Sequence, residues 1–222
     1  MKMDIKGAIF DMDGTLVDSL GAWEVIYREF GERYLADSTF EPDPQIVKEV
    51  ATSTLATAMD VVHERCGIGE SGAELLEFAN EILEKYYRET VPMKAGTLEF
   101  LEHCKKKGVK MCIASATARP LINIVIEKYG LDRYIDRVFS CVEVGKGKEH
   151  PDVFIAAHEF MGTPKESTWV FEDSLTALRT ATAAGYKTVG VYDKYNYYKE
   201  TAEVATEYIA EGESIAKLIE KI

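Results

Sequence analysis

The sequence predicts an α/β protein: a mainly parallel sheet wound on both faces by helices, with a separate helical domain inserted near its start. Three observations carry this. Short apolar, β-branched runs alternate with segments of helical period, glycines close those helical segments, and one long stretch contains helical patterns only.

The strand candidates are residues 5–10, 109–114, 168–171 and 187–191, with 138–140 and 208–209 weaker. Helical periodicity falls at 97–106, 120–129, 152–161 and 175–184. Gly108, Gly130, Gly162 and Gly185 follow these four segments, where a left-handed cap favours a residue without Cβ. From about Ser19 to Glu89 the pattern is helical throughout, at 23–34, 45–65 and 72–88, and is punctuated by Pro42, Pro44, Gly67 and Gly69. That is far more chain than a crossover between two strands needs. The expected organisation is therefore an α/β core over 1–18 and 90–222 and an inserted helical domain over 19–89.

Hydrophobic residues make up 46% of the 222-residue chain and charged residues 29%, the balance of a soluble globular protein. No apolar run approaches the length of a membrane span. Met1-Lys2-Met3-Asp4-Ile5 leads straight into a strand without the apolar stretch of a secretory signal, so a cytoplasmic location is expected. The net charge of −12, with Lys105-Lys106-Lys107 as the one compact basic run, argues against nucleic acid as a partner. Those lysines suit a helix C-terminus. Cys66, Cys104, Cys112 and Cys141 show no paired spacing and read as free thiols, not as disulfides or a zinc site. The expected partner is a small molecule rather than a nucleic acid or a membrane, and the chain is expected to be a monomer or a weak dimer.

Doubly wound sheets place their sites at the carboxyl ends of the strands. Reading just past each strand in order gives Asp11-Met12-Asp13-Gly14-Thr15, then Ser115-Ala116-Thr117, then Gly147-Lys148, then Glu172-Asp173-Ser174. Together these loops make sense as phosphoryl chemistry. Two like charges near 4 Å repel by ~4 kcal/mol at an effective dielectric of 20, so a carboxylate attacking a phosphate needs a cation beside it. Asp11 and Asp173 offer the hard oxygen ligands that Mg²⁺ prefers, and Lys148 offers a point charge. Ser115 and backbone N–H groups can donate to phosphoryl oxygens, and Gly14 permits the tight turn that returns Asp13 to the site. Thr15, Ser115, Ala116, Thr117 and Arg119 are the expected substrate-binding residues. Glu172-Asp173 could instead cap the following helix, and Arg119 could instead be a solvated helix start.

At these residues the sequence resembles the haloacid dehalogenase superfamily in its phosphatase branch. Phe10 to Ser19 looks like that family's first motif, Ser115 matches the second, Lys148 with Pro151-Asp152 the third, and Glu172-Asp173-Ser174 the fourth. The helical stretch after Ser19 lies where the subfamily of phosphoglycolate phosphatase and β-phosphoglucomutase carries its cap. The resemblance implies a Rossmann-like core. It implies Asp11 as nucleophile and metal ligand, and Asp13 as general acid–base and ligand through its carbonyl. It also implies Asp173 as a ligand, with Glu172 ligating directly or through water. Dehalogenase members lack the second aspartate, so Asp13 argues for phosphate. Glu149 stands where the family commonly has proline, leaving Lys146 beside Lys148 as a candidate; spacing to Pro151-Asp152 favours Lys148.

The expected function is Mg²⁺-dependent hydrolysis of a small soluble phosphomonoester, such as a sugar phosphate or phosphoglycolate, through an aspartyl phosphate. The alternative is a sugar phosphomutase of the β-phosphoglucomutase type. It would need a cationic cap group for a second phosphate, and no arginine occurs from Phe40 to Glu64. A phospho-acceptor switch such as a receiver domain is about half this length and lacks the D-x-D-G-T run. Within the helical domain, Thr52-Ser53-Thr54 and Thr57 either line an inner face or form a solvated flank, and Trp23 and Tyr27 read as core. His150 is the one histidine close to a motif. Tyr192, Tyr195, Tyr197 and Tyr198 either edge the pocket or simply pack.

Overall fold

The structure is a computed structural model and describes residues 2–50, 53–196 and 198–222. The chain divides into two compact units, Met1–Ser19 with Val91–Ile222, and Leu20–Thr90. Strand β1 (Gly7–Phe10) comes first. Helices α1 (Ala22–Phe30), α2 (Pro44–Val50), α3 (Leu55–Cys66) and α4 (Gly72–Glu89) follow, and then α5 (Thr97–Lys106) leads to β2 (Lys110–Ser115). After these come α6 (Arg119–Tyr129), β3 (Arg137–Ser140), the one-turn α7 (Cys141–Val144), α8 (Asp152–Met161) and β4 (Thr168–Glu172). The chain then continues through α9 (Leu175–Ala183), β5 (Lys187–Val191), α10 (Tyr198–Val204) and β6 (Glu207–Ile209).

The six strands form one all-parallel sheet in the order β3-β2-β1-β4-β5-β6. β1 is central, and every position of β1 and β4 is buried, as a sheet covered on both faces requires. Alternation along the strands fills two cores. Ile9, Cys112, Ala114 and Val170 pack with Val153, Phe154 and Ala157 of α8 and with Ala177 and Ala181 of α9. Phe10 and Phe171 point to the opposite face, where their rings and that of Phe100 of α5 lie 4.5–6.2 Å apart. Gly108, Gly130, Gly162 and Gly185 all take positive φ at the helix ends, the conformation that disfavours a Cβ.

The helical unit Leu20–Thr90 has its own apolar core, including Phe30, Met59, Val62, Leu75 and Ala79, and Phe30 stacks on Phe78 at 5.8 Å. The periodicity over 45–65 does not make one helix. α2 ends at Val50 and α3 restarts at Leu55, because Thr54 leaves helical geometry and its hydroxyl accepts from the Thr57 N–H at 3.2 Å. Ser53 Oγ donates to the Glu49 carbonyl at 2.9 Å. Ser53, Thr54 and Thr57 thus make local helix-end bonds, while Thr52 lies outside the described residues. The Trp23 and Tyr27 rings sit 5.8 Å apart, with Tyr27 buried and Trp23 half-buried. Among the described residues no helix is long and apolar enough to cross a membrane.

Candidate active site

Strand register assembles the site. Phe10 stands beside Ile113 of β2 and Phe171 of β4, so the next residue, Asp11, emerges between Ala114 and Glu172. The Asp11 N–H donates to the Phe171 carbonyl at 2.9 Å, continuing the ladder one step past the strand. This is the point where the strand order reverses, the crevice in which doubly wound sheets bind ligands.

Asp11, Glu172 and Asp173 are all buried, and one carboxylate oxygen from each lies within 4.8 Å of the others. Lys148 reaches this cluster from the loop after α7, donating to Asp11 Oδ1 at 2.5 Å and to Glu172 Oε1. Lys146 turns away and pairs with Asp152 at 2.6 Å. Glu149 and His150 are exposed.

Asp173 is held from two sides. Thr15 Oγ1 donates to its Oδ1 at 3.1 Å, and Asn196 Nδ2 donates to its Oδ2. Gly14 has φ +79°, and any Cβ there would collide with the Asp173 carboxylate. That close approach makes glycine necessary in D-x-D-G-T.

Asp13 lies two residues beyond Asp11, and its carboxylate accepts from Ser19 Oγ and from Thr117 Oγ1, each at 2.6 Å. Thr117 is itself fixed: its N–H donates to Ser115 Oγ at 3.1 Å and its carbonyl accepts from Ser140 Oγ at 2.9 Å. Ser115 is buried at the end of β2, and Ala116 is exposed in the loop beyond. Arg119 goes elsewhere. Its guanidinium pairs with Glu143 and donates to the Val138 carbonyl at 2.9 Å, which ties α6 to β3 and α7. Tyr192 and Tyr195 lie in the loop after β5, Tyr198 begins α10, and Tyr197 lies outside the described residues.

Electrostatics set the chemistry of this cluster. Burial pushes the Asp11 carboxyl up to about 7; the Lys148 ammonium opposes that rise, and the Glu172 and Asp13 charges add to it. Burial, with the Glu172 and Asp11 charges behind it, also holds Asp173 well above the ordinary carboxylate range. Burial works against the Lys148 charge, but Asp11 and Glu172 outweigh it and keep the ammonium well above its usual value. One largely buried ammonium, bonded to two of them, therefore faces three buried carboxylates. Converging hard oxygen donors with a residual negative charge fit a divalent cation such as Mg²⁺.

Ser19 and Asn196 join the site without having been singled out as site residues from sequence. Ser19 ends the first motif. Asn196 lies among the tyrosines that follow β5, and a neutral amide in such a loop carries no sequence signal of its own.

A sequence profile described as haloacid dehalogenase-like hydrolase matches residues 8–191. The chain belongs to that family. Among hydrolases it is similar to, the phosphorylated carbohydrates phosphatase of Thermotoga maritima is 24% identical, across 98% of this chain and 100% of its own. Hexitol phosphatase A of Escherichia coli is 29% identical, across 85% and 84%. CbbY from Rhodobacter sphaeroides, solved in complex with phosphate, superposes with a TM-score of 0.75 at 21% identity, covering 96% of this chain and 99% of its own. β-Phosphoglucomutase from Clostridium difficile does so at 0.75 and 18%, covering 98% and 96%. At these identities the two structures speak to the fold: a haloacid dehalogenase-like core.

Proposed function

We propose that this hydrolase is a Mg²⁺-dependent phosphatase that releases phosphate from a small soluble phosphomonoester through an aspartyl phosphate on Asp11. One observation carries the reading. Asp11 sits under Lys148 beside Glu172 and Asp173, and a second aspartate, Asp13, is held two residues away by Ser19 and Thr117.

Mg²⁺, held by Asp11, Asp173, Glu172 and the Asp13 carbonyl, would offset the negative charge that carboxylates and phosphate bring together. The chain's own residues do the rest. Lys148 lowers the repulsion between Asp11 and the phosphoryl group, and Ser115 with nearby backbone N–H groups donates to phosphoryl oxygens. An Asp11 oxygen attacks phosphorus while Asp13 gives its proton to the departing alkoxide oxygen. Asp13 then takes a proton from the water that attacks phosphorus, the acyl-phosphate P–O bond breaks, and inorganic phosphate leaves with Asp11 restored.

The relatives named for phosphorylated carbohydrates and hexitols make sugar and polyol phosphates the first substrates to test. A phosphomutase reading is less well supported. No arginine lies between Phe40 and Glu64, and Arg65 is paired with Glu49 at 2.9 Å. Given β-glucose 1-phosphate and a trace of the bisphosphate, the protein should release phosphate without accumulating glucose 6-phosphate.

Turnover should stop in excess EDTA and return with Mg²⁺. Asp13→Asn keeps the nucleophile and loses the base, so with p-nitrophenyl phosphate it should give a burst of one equivalent of nitrophenol. Its second step should slow by 10²–10⁴-fold. Mass spectrometry of the acid-quenched variant should find one phosphoryl group on the Asp11 peptide. A label elsewhere, or a burst that survives in Asp11→Asn, overturns the assignment.

A further inference from the structure

We propose that Asn196 is a positioning residue for Asp173, keeping that carboxylate oriented for a divalent cation without neutralising it; this rests on the metal-dependent reading above. The cluster divides its donors unevenly. Lys148 carries its charge to Asp11 and Glu172, whereas the donors to Asp173 described above are neutral, the Thr15 hydroxyl on Oδ1 and the Asn196 amide on Oδ2. A neutral donor fixes a carboxylate's rotation and leaves its charge for a metal. A lysine at that place would compete with the cation, and a carboxylate would add to the repulsion among three buried acids.

The loop that delivers Asn196 has its own anchor. Asp193, two residues past β5, is buried, and its Oδ2 accepts from Lys94 Nζ at 2.9 Å. Lys94 Nζ also donates to the Tyr192 carbonyl at 2.8 Å. Asp193 Oδ1 accepts from the Tyr195 N–H at 3.0 Å, and the Asp193 carbonyl accepts from the Asn196 N–H at 3.2 Å. This turn is closed by a largely buried ion pair and two backbone donors, so it does not need the Asn196 side chain to hold its shape. Asn196 is only half-buried, and its amide is spent on Asp173. The same carboxylate is packed against Gly14, which admits no Cβ there. Thr15, Gly14 and Asn196 thus limit Asp173 to one orientation.

A thermal-shift titration with Mg²⁺ alone, without substrate, tests this on the parent and on Asn196→Ala. The variant should need roughly 10–100-fold more Mg²⁺ for the half-maximal shift, the usual consequence of losing a group that orients a metal ligand. At saturating Mg²⁺ its kcat and KM for p-nitrophenyl phosphate should return to within about twofold of the parent, since the residues that contact substrate are untouched. An unchanged Mg²⁺ midpoint overturns the proposal. So does a kcat that stays low at saturating Mg²⁺, which would make Asn196 a support of the loop. A parent that shows no Mg²⁺-dependent shift and no Mg²⁺-dependent turnover would instead overturn the metal-dependent function itself, and this inference with it.

Discussion

In the α/β unit Asp11, Glu172, Asp173 and Asp193 are all buried; in the helical unit, among the described residues, no acidic, basic or hydroxyl side chain of Ser or Thr is. Ion pairs in the helical unit, such as Arg65–Glu49 and Arg88–Glu84, lie at the surface, where such pairs contribute little. Its interior is aromatic and aliphatic, built around Phe30 and Phe78. Burying carboxylates costs stability unless each is paired, and in the cluster of Asp11, Glu172 and Asp173 the Lys148 ammonium bonds to two of the three. The comparison separates a region shaped by packing from one that tolerates an electrostatic cost at the candidate site.

Lys148→Met should have the largest effect and tests the costly side of that comparison. It strands Asp11 and Glu172 in the interior. Turnover should vanish, and urea unfolding in EDTA should show a loss of about 3–5 kcal/mol, the range for removing one partner of a buried pair. A stable Lys148→Met variant would mean that the cluster is solvated and the contrast with the helical unit is false.

Phe30→Ala sharpens the comparison from the other side. Phe30 is fully buried, so the cavity should also cost about 3–5 kcal/mol. Here the Mg²⁺-dependent thermal shift should survive with an unchanged midpoint, because no carboxylate of the cluster is touched. A moved midpoint would show that the two units do not partition packing and charge as described.

The smallest expected effect concerns Glu74 at the start of α4. It accepts from the Glu70 N–H at 2.7 Å and from the Tyr34 hydroxyl at 2.7 Å, and the Glu70 N–H above all holds its carboxyl below the ordinary value of 4.5. A carboxyl depressed in the folded state adds stability that is present above its unfolded pKa and lost as pH falls through the folded one. Glu74→Gln should therefore lower Tm slightly at pH 7, and the gap from the parent should close below pH 4.5. A gap that persists in acid would assign the effect to shape rather than charge.

Local pattern accounts for much of what could be read directly. Alternating runs located the strands of the sheet, and glycines marked the helix ends because a left-handed backbone is a property of a few adjacent residues. D-x-D-G-T was legible for the same reason: two aspartates and the turn glycine lie within five consecutive positions at a strand end. Periodicity over 45–65 could not show the break before Leu55, since helix-compatible residues lie on both sides and one capping threonine decides it. The directions of Arg119 and Lys146 were open in the sequence because a long cation pairs with whichever acid its neighbours bring close, here Glu143 and Asp152.

What the sequence determined by itself was the α/β class, the helical insertion, and the residue types at the strand ends, all consequences of spacing along the chain. Tertiary structure alone decided the partners. Register set Asp11 beside Glu172, and the turn after β5 carried Asn196 to Asp173. The physical reason is that a hydrogen bond needs donor and acceptor about 3 Å apart. Thr15 and Asp173 are 158 positions apart in the chain, and only the folded sheet brings them within that distance.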